Sequence, residues 1–285
     1  MKDIFEFVLA YIFLKTSKLL GLRFSSLLGG ILLYIFGFFS SRNRIGMRNL
    51  SIVFPKKTFW EKKKILSKMW FHFGRVIGEY PHLNKIKIKN NPNIQIINIE
   101  NLLGPLKNQK NCIFFSAHLG NWELSSHPLT QNGHTINFIY RSANNKLVDN
   151  LLNRIRSGYG VKLISKGKEG AKDCIKALKT NENLGMLIDQ KMNDGLPVKF
   201  FNRDAMTATA IAKFALKFNC PIIPAVCIRV GGIKFCIEYF KPIYTKEIKK
   251  MGSEKKIMLY LNSYVEDWII KNPEQWIWVH NRWKD

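Results

Sequence analysis

Apolar and polar positions change their period several times along the chain. From Ile4 to Phe39 apolar residues are nearly continuous. From Phe59 to Tyr80 they recur at helical spacing, with Trp60, Ile65, Met69, Trp70, Phe73 and Ile77 on one side and lysines elsewhere. Thr58 followed by Glu61 is a capping-box pattern that predicts the start of this helix. Beyond the loop Asn90-Asn-Pro-Asn, short apolar runs alternate with helix-period stretches. Strands are predicted at 94–99, 112–116, 135–140, 161–164, 184–188, 222–229 and 234–239. Helices are predicted near 121–131, 146–158, 168–180, 207–218 and 254–271. This alternation predicts an α/β fold, with a mixed, mostly parallel central sheet flanked by helices and an N-terminal membrane-anchoring helical segment.

The N-terminal run divides the chain into an expected anchor, residues 1–45, and a catalytic domain, residues 46–285. Glu6 interrupts the first apolar stretch and no small-x-small site follows, so it does not read as a simple secretory signal. Between Arg23 and Arg42 every residue is uncharged. That stretch is at the short end for a spanning helix, which needs about 20 residues. Arg42, Arg44 and Arg48 follow at once, a bias that keeps the next domain on the cytoplasmic side. The alternative is a helical hairpin lying in the membrane interface, with residues 4–20 and 24–39 as its arms.

Charge strengthens the membrane reading. Lys and Arg number 45 against 20 Asp and Glu, a formal net charge of +25. Such a field suits anionic membranes, acidic partners or nucleic acid. The lysines are dispersed, and no helix-turn-helix, zinc or RNA-binding signature is present, which counts against nucleic acid. The five cysteines form no C-x-x-C pair, and the histidines lack metal-ligand spacing, so reduced core thiols and no metal are expected. Neither G-x-G-x-x-G nor a Walker A pattern occurs.

The segment His118-Leu-Gly-Asn-Trp-Glu123 comes just after the apolar strand Cys112-Ile-Phe-Phe115. Ligands of α/β sheets bind at strand C-terminal ends, where this places His118. Glu123, in the first turn of the next helix, can reach back to one ring nitrogen and leave the other to take a proton from a hydroxyl. If the substrate's own alcohol is the nucleophile, this is the logic of acyl transfer. Gly120 at the helix start suggests backbone donors for an oxyanion. Asp189 follows another apolar run, Leu184-Gly-Met-Leu-Ile188, and Arg141 follows the strand ending Ile139-Tyr140. His127 and His134 read as surface or helix-end residues, and Trp276, Trp278 and Trp283 as core.

The H-x4-E pattern after a buried strand, with a basic apolar anchor, resembles the lysophospholipid acyltransferase superfamily. Within it, a series of blocks is similar to the bacterial lipid A biosynthesis acyltransferases. These are Arg48-Asn-Leu with Phe54-Pro55, Gly78-Glu79, Phe138-Ile-Tyr-Arg141 and Asn153-Arg-Ile-Arg-Ser157. Leu187-Ile-Asp189-Gln190, Pro197-Val-Lys-Phe-Phe201 with Ala205-Met-Thr207, and Trp276-Ile-Trp-Val-His-Asn-Arg-Trp-Lys284 complete the series. One departure is Asn202, where that family usually has glycine. Glu123 in place of aspartate, and the lack of an F-P-E-G-type block, separate the chain from glycerol-phosphate acyltransferases.

The resemblance implies a thioester-dependent O-acyltransferase with His118 and Glu123 catalytic. Arg141, Arg154, Arg156, Asp189 and Gln190 would bind substrate. It implies no cofactor beyond the co-substrate, acyl carrier protein or coenzyme A carrying the acyl group. The expected acceptor is a Kdo-bearing lipid IVA precursor, and the expected location the cytoplasmic face of the inner membrane. Another membrane lipid (a glycolipid mannoside, a lysophospholipid or an ornithine lipid) is the alternative acceptor. A non-catalytic basic membrane- or nucleic-acid-binding protein is the alternative of a different class.

Overall fold

The computed structural model describes residues 1–108 and 111–283, so Lys284 lies outside the described residues. The helices are α1 (Lys2–Phe38), α2 (Asn43–Val53), α3 (Phe59–Glu79), α4 (Glu100–Asn108), α5 (His127–Gln131), α6 (Lys146–Ser157), α7 (Lys168–Lys179), α8 (Ala210–Phe218), α9 (Thr245–Lys250) and α10 (Glu254–Lys271). The strands are β1 (Ile94–Ile97), β2 (Ile113–Ser116), β3 (Ile136–Tyr140), β4 (Val161–Ser165), β5 (Asn183–Leu187), β6 (Lys191–Phe200), β7 (Arg203–Thr207), β8 (Ile222–Gly231) and β9 (Lys234–Tyr239).

Seven strands form one sheet in the order β1-β9-β8-β2-β5-β3-β4. Every pairing is parallel except β8 with β9. This is the mixed, mostly parallel sheet expected from the alternation of apolar runs. β2 and β5 are buried along most of their length, as strands covered on both faces must be. One apolar layer joins the sheet to α7, α8 and α10 through Cys174, Ile211 and Val265. The opposite layer includes Val76 of α3, Leu102 of α4 and Leu129 of α5.

The predicted helix after Thr58 is present with its capping box: the Glu61 N–H donates to the Thr58 hydroxyl, and the Thr58 N–H donates to the Glu61 carboxylate. The β6–β7 hairpin was not expected, because its exposed first half does not alternate in hydrophobicity and Pro197 interrupts it. Its turn, Phe201-Asn202, has φ +50° and +59°. Two positive φ values make a type I′ turn, and asparagine is among the few side chains that visit that region.

α1 is not one straight rod. Gly21 leaves helical geometry, with φ 74° and ψ 164°, and divides the helix into two arms. The second arm packs against α3 through its small residues. A Cβ added at Gly29 would meet the Gly74 carbonyl oxygen at 2.3 Å, and one at Gly78 would meet the Ser25 carbonyl oxygen at 2.1 Å. The first arm reaches back to the domain. The Asn145 amide donates to the Asp3 carbonyl at 2.8 Å, and His82 Nε2 bonds the Ser17 carbonyl at 3.0 Å. By length and composition Lys2–Phe38 is apolar enough to cross a membrane.

The three tryptophans read as core are buried, Trp278 completely. The cysteines are free, with Cys112, Cys174, Cys220 and Cys227 buried and Cys236 half-buried.

Candidate active site

Strand register brings the site together. Ser116 pairs with Leu187, and Met186 with Ile139 on its other side. His118 and Asp189 stand two residues beyond the C-terminal ends of β2 and β5, and Arg141 one residue beyond that of β3. Three neighbouring parallel strands thus deliver an imidazole, a carboxylate and a cation to one edge of the sheet, the usual ligand-binding edge of such folds.

The carboxylate that meets His118 is Asp189. His118 Nδ1 lies 2.8 Å from Asp189 Oδ1, and the His118 backbone N–H donates to Asp189 Oδ2 at 3.0 Å. The Trp276 indole N–H donates to the same Oδ2 at 2.8 Å. Burial alone would raise the Asp189 carboxyl. The facing imidazole and these donors outweigh it and hold the group well below the usual carboxylate range. An ionised carboxylate only accepts, so Nδ1 is protonated, and in the neutral ring the lone pair falls on Nε2. The Gln190 amide stands 3.4 Å from that Nε2, and the Trp122 ring lies beside the imidazole.

Glu123 does not reach His118, contrary to the spacing argument. Gly120 takes φ +62°, and the chain then enters a 3₁₀ turn, Trp122–Ser126, that carries Glu123 into a separate buried cluster. Arg156 Nη2 donates to its Oε1 at 2.7 Å, and Arg156 Nε lies 3.2 and 3.3 Å from the two oxygens. The Tyr159 hydroxyl donates to Oε2 at 2.5 Å, and the Tyr80 hydroxyl donates to Oε1. Burial would raise the Glu123 carboxyl, but the Arg156 charge and these hydrogen bonds hold it low. Burial and the facing carboxylate push both phenols well up, so they stay neutral donors.

The remaining candidates divide. Asp189 and Gln190 are at the base. Arg141 is exposed and lines the same cavity. Arg156 also lines it, but its guanidinium is engaged by Glu123 and the Tyr80 hydroxyl. Arg154 is exposed on α6 and is not among the residues lining the cavity. The Gly120 and Asn121 N–H groups, expected as oxyanion donors, instead donate to the Gln275 and Cys227 carbonyls at 3.1 Å. His127 is buried at the first turn of α5 and stacks on Tyr159, so it is a helix-end residue but not a surface one.

Sequence reasoning did not single out Trp276, Tyr80, Tyr159 or Lys166 for this region. Tyr80 directly follows the Gly78-Glu79 block, which could have drawn attention to it. Trp276 opens the terminal block, where it reads as core; Tyr159 and Lys166 carry no local signal. Lys166 follows β4 and lines the cavity with its ammonium lowered by burial, an effect Asp189 partly offsets.

A second buried network fixes the turn that bears His118. The Asn121 amide donates to Glu79 Oε2 at 2.7 Å. Arg229 donates to both Glu79 oxygens, at 2.6 and 2.8 Å. The turn itself tolerates no side chain at Gly120, where a Cβ would stand 1.7 Å from the Cys227 carbonyl oxygen. Gly120→Ala is therefore expected to displace the turn, with loss of activity and a lowered Tm. Thermal melting of the variant beside wild type measures it, and an unchanged melting curve would contradict the packing.

His118 opens onto a cavity of about 420 Å³ whose wall includes Trp122, Tyr140, Arg141, Lys166 and Gln190. A second cavity of about 470 Å³ shares Ile139, Lys166, Leu187 and Gln190 with it. Its further walls include the apolar side chains of Cys174, Met186, Ile188, Ile211 and Phe214. Among the described residues no group of His, Cys, Asp and Glu is arranged to hold a metal ion.

An imidazole oriented by a buried carboxylate, beside an apolar cavity, has the arrangement of a general base in a group-transfer enzyme. The family model for bacterial lipid A biosynthesis acyltransferases matches residues 2–285, and the chain belongs to that family. It is accordingly an acyltransferase. Among curated proteins, none matches the chain.

Proposed function

We propose that the protein transfers a fatty acyl chain from an acyl thioester, carried by acyl carrier protein, to a hydroxyl of a Kdo-bearing lipid IVA precursor. The observation that carries this reading is the His118–Asp189 pair, with Nε2 free of the carboxylate and two adjoining cavities before it. His118 Nε2 takes the proton of the acceptor hydroxyl, and Asp189 steadies the imidazolium that forms. The oxygen attacks the thioester carbonyl, and a tetrahedral oxyanion forms. The Gln190 amide beside the base is a donor for it. The C–S bond then breaks, and the departing sulfur receives the proton from His118.

The apolar second cavity suits the acyl chain, and Lys166, Lys168 and Lys191 on its wall suit an acidic carrier or its phosphate. Arg141 is the exposed cation placed to meet a phosphate or carboxylate of the acceptor. Glu123 shapes the opposite wall by holding Arg156, Tyr80 and Tyr159.

The test supplies purified protein in detergent with acyl carrier protein or coenzyme A as acyl carrier, and Kdo-bearing lipid IVA as acceptor. One added acyl mass, formed faster with the carrier protein, is the expected result. No product with either donor, but product with a lysophospholipid or a glycolipid, would overturn the proposed acceptor.

A further inference from the structure

We infer that α1 seats the protein in one leaflet as an in-plane hairpin and does not cross the bilayer. This rests on the reading of a membrane-lipid acceptor, and it concerns how the protein meets that membrane. The second arm lies against α3 from end to end. Lys63 Nζ sits over the Phe38 ring at one end, Gly37 meets Trp70, Gly30 meets Phe71 and Arg75, and Ser26 donates to Glu79 at the other end. α3 is a helix of the domain itself: it carries Lys62, Lys63, Lys64, Lys68 and Arg75 and packs Met69 and Val76 into the core.

Were the second arm to cross the membrane, α3 would be drawn through the hydrocarbon beside it. Its cations, and the buried Glu79–Arg229 pair at its end, would go with it. The two helices pack at backbone contact: Gly29 and Gly74 leave no room for a side chain between them. A second observation agrees. Lys15, Lys18 and Arg23 flank the Gly21 break, and Arg42 and Arg44 follow the other end of the arm. Cations at both ends favour the same anionic surface for both.

The faces turned away from the domain supply the lipid-facing side. The first arm exposes Ile4, Phe5, Leu9 and Ile12, and the second Phe24, Ile31, Tyr34, Ile35 and Phe38. These exposed apolar side chains, with cations at the ends of the arms, suit burial in a leaflet whose headgroups meet the cations. Asn145 joins this seat to the site. It bonds Asp3 and Glu6 of the first arm, while its neighbours Ala143 and Asn144 line the cavity of His118. The cavity rim therefore lies at the membrane surface, where a lipid acceptor is presented.

The experiment places single cysteines at Lys18 and Ser41, both exposed, in the full chain. Labelling by a membrane-impermeant maleimide is read in inverted and in right-side-out membrane vesicles, with wild-type labelling subtracted. Both positions are expected to react in one vesicle orientation only, and in the same one. Reaction of the two positions in opposite orientations would establish a span and overturn the inference. Recovery of the chain in the soluble fraction would overturn it as well. Labelling does not depend on which lipid is acylated, so failure of the proposed acceptor leaves this result intact.

Discussion

Replacing His118 with alanine is expected to cut acyl transfer ~10²–10⁴-fold, the usual cost of losing a general base. Asp189→Asn is expected to cost a loss of the same order. Asparagine presents an amide where Nδ1–H needs an acceptor, so the imidazole loses the partner that leaves the lone pair on Nε2. With its oxygen kept on the His118 backbone and Trp276 indole N–H groups, the asparagine turns its NH2 to the ring and favours the tautomer with the proton on Nε2. Initial rates on purified variants check this, with near-ultraviolet circular dichroism confirming the fold. Wild-type rates in Asp189→Asn would show that the imidazole needs no orienting carboxylate.

Glu123→Ala is expected to act first on stability. It leaves Arg156, Tyr80 and Tyr159 facing a void in a buried cluster, and breaking a buried ion pair costs about 3–5 kcal/mol. Glu169→Ala, which removes the partner of Lys172 on the surface of α7, is the control and is expected to cost roughly 0–1 kcal/mol. Denaturant melts of both variants measure the difference. The same cluster sets a pH dependence. The folded Glu123 carboxyl is held below its unfolded value of about 4.3. Its contribution is therefore complete above that pH and is lost as pH falls through the lower, folded value. Wild type is expected to lose stability on acidification through this range, and Glu123→Gln less steeply. Equal melts for Glu123→Ala and wild type would contradict the buried cluster.

The contrast between Glu123 and Asp189 shows what the sequence could and could not carry. The apolar runs marked the strands of the central sheet, and the strand before His118 placed the imidazole at the correct edge. Spacing then suggested Glu123 as its partner, because five residues are a short reach along a helix. The positive φ at Gly120 and the 3₁₀ turn redirect that reach, and neither is legible in a spacing. Asp189 is distant in sequence and becomes the neighbour only through the β2–β5 register. That pairing depends on which strands lie side by side, which the order of elements does not state. Arg156 shows the same limit. Read as a free guanidinium, it is committed to Glu123.

The N-terminal arm is a parallel case. Its small residues, Ser25, Ser26, Gly29 and Gly30, look like ordinary members of an apolar run, and by composition the segment passes for a span. Their helical spacing makes one face that admits α3 at backbone contact distance, and only the partner reveals its purpose.

The central claim is that His118, served by Asp189, is the base of the transfer reaction. Chemical rescue tests it most directly. His118→Gly leaves a space beside Asp189 that free imidazole can enter, and product is followed by mass spectrometry with acyl-carrier-protein donor and Kdo-bearing lipid IVA. The account predicts product formation slowed ~10²–10⁴-fold without imidazole, restored as imidazole is added, and little restored once Asp189→Asn is also present. Product formed by His118→Gly at the wild-type rate without imidazole would contradict it.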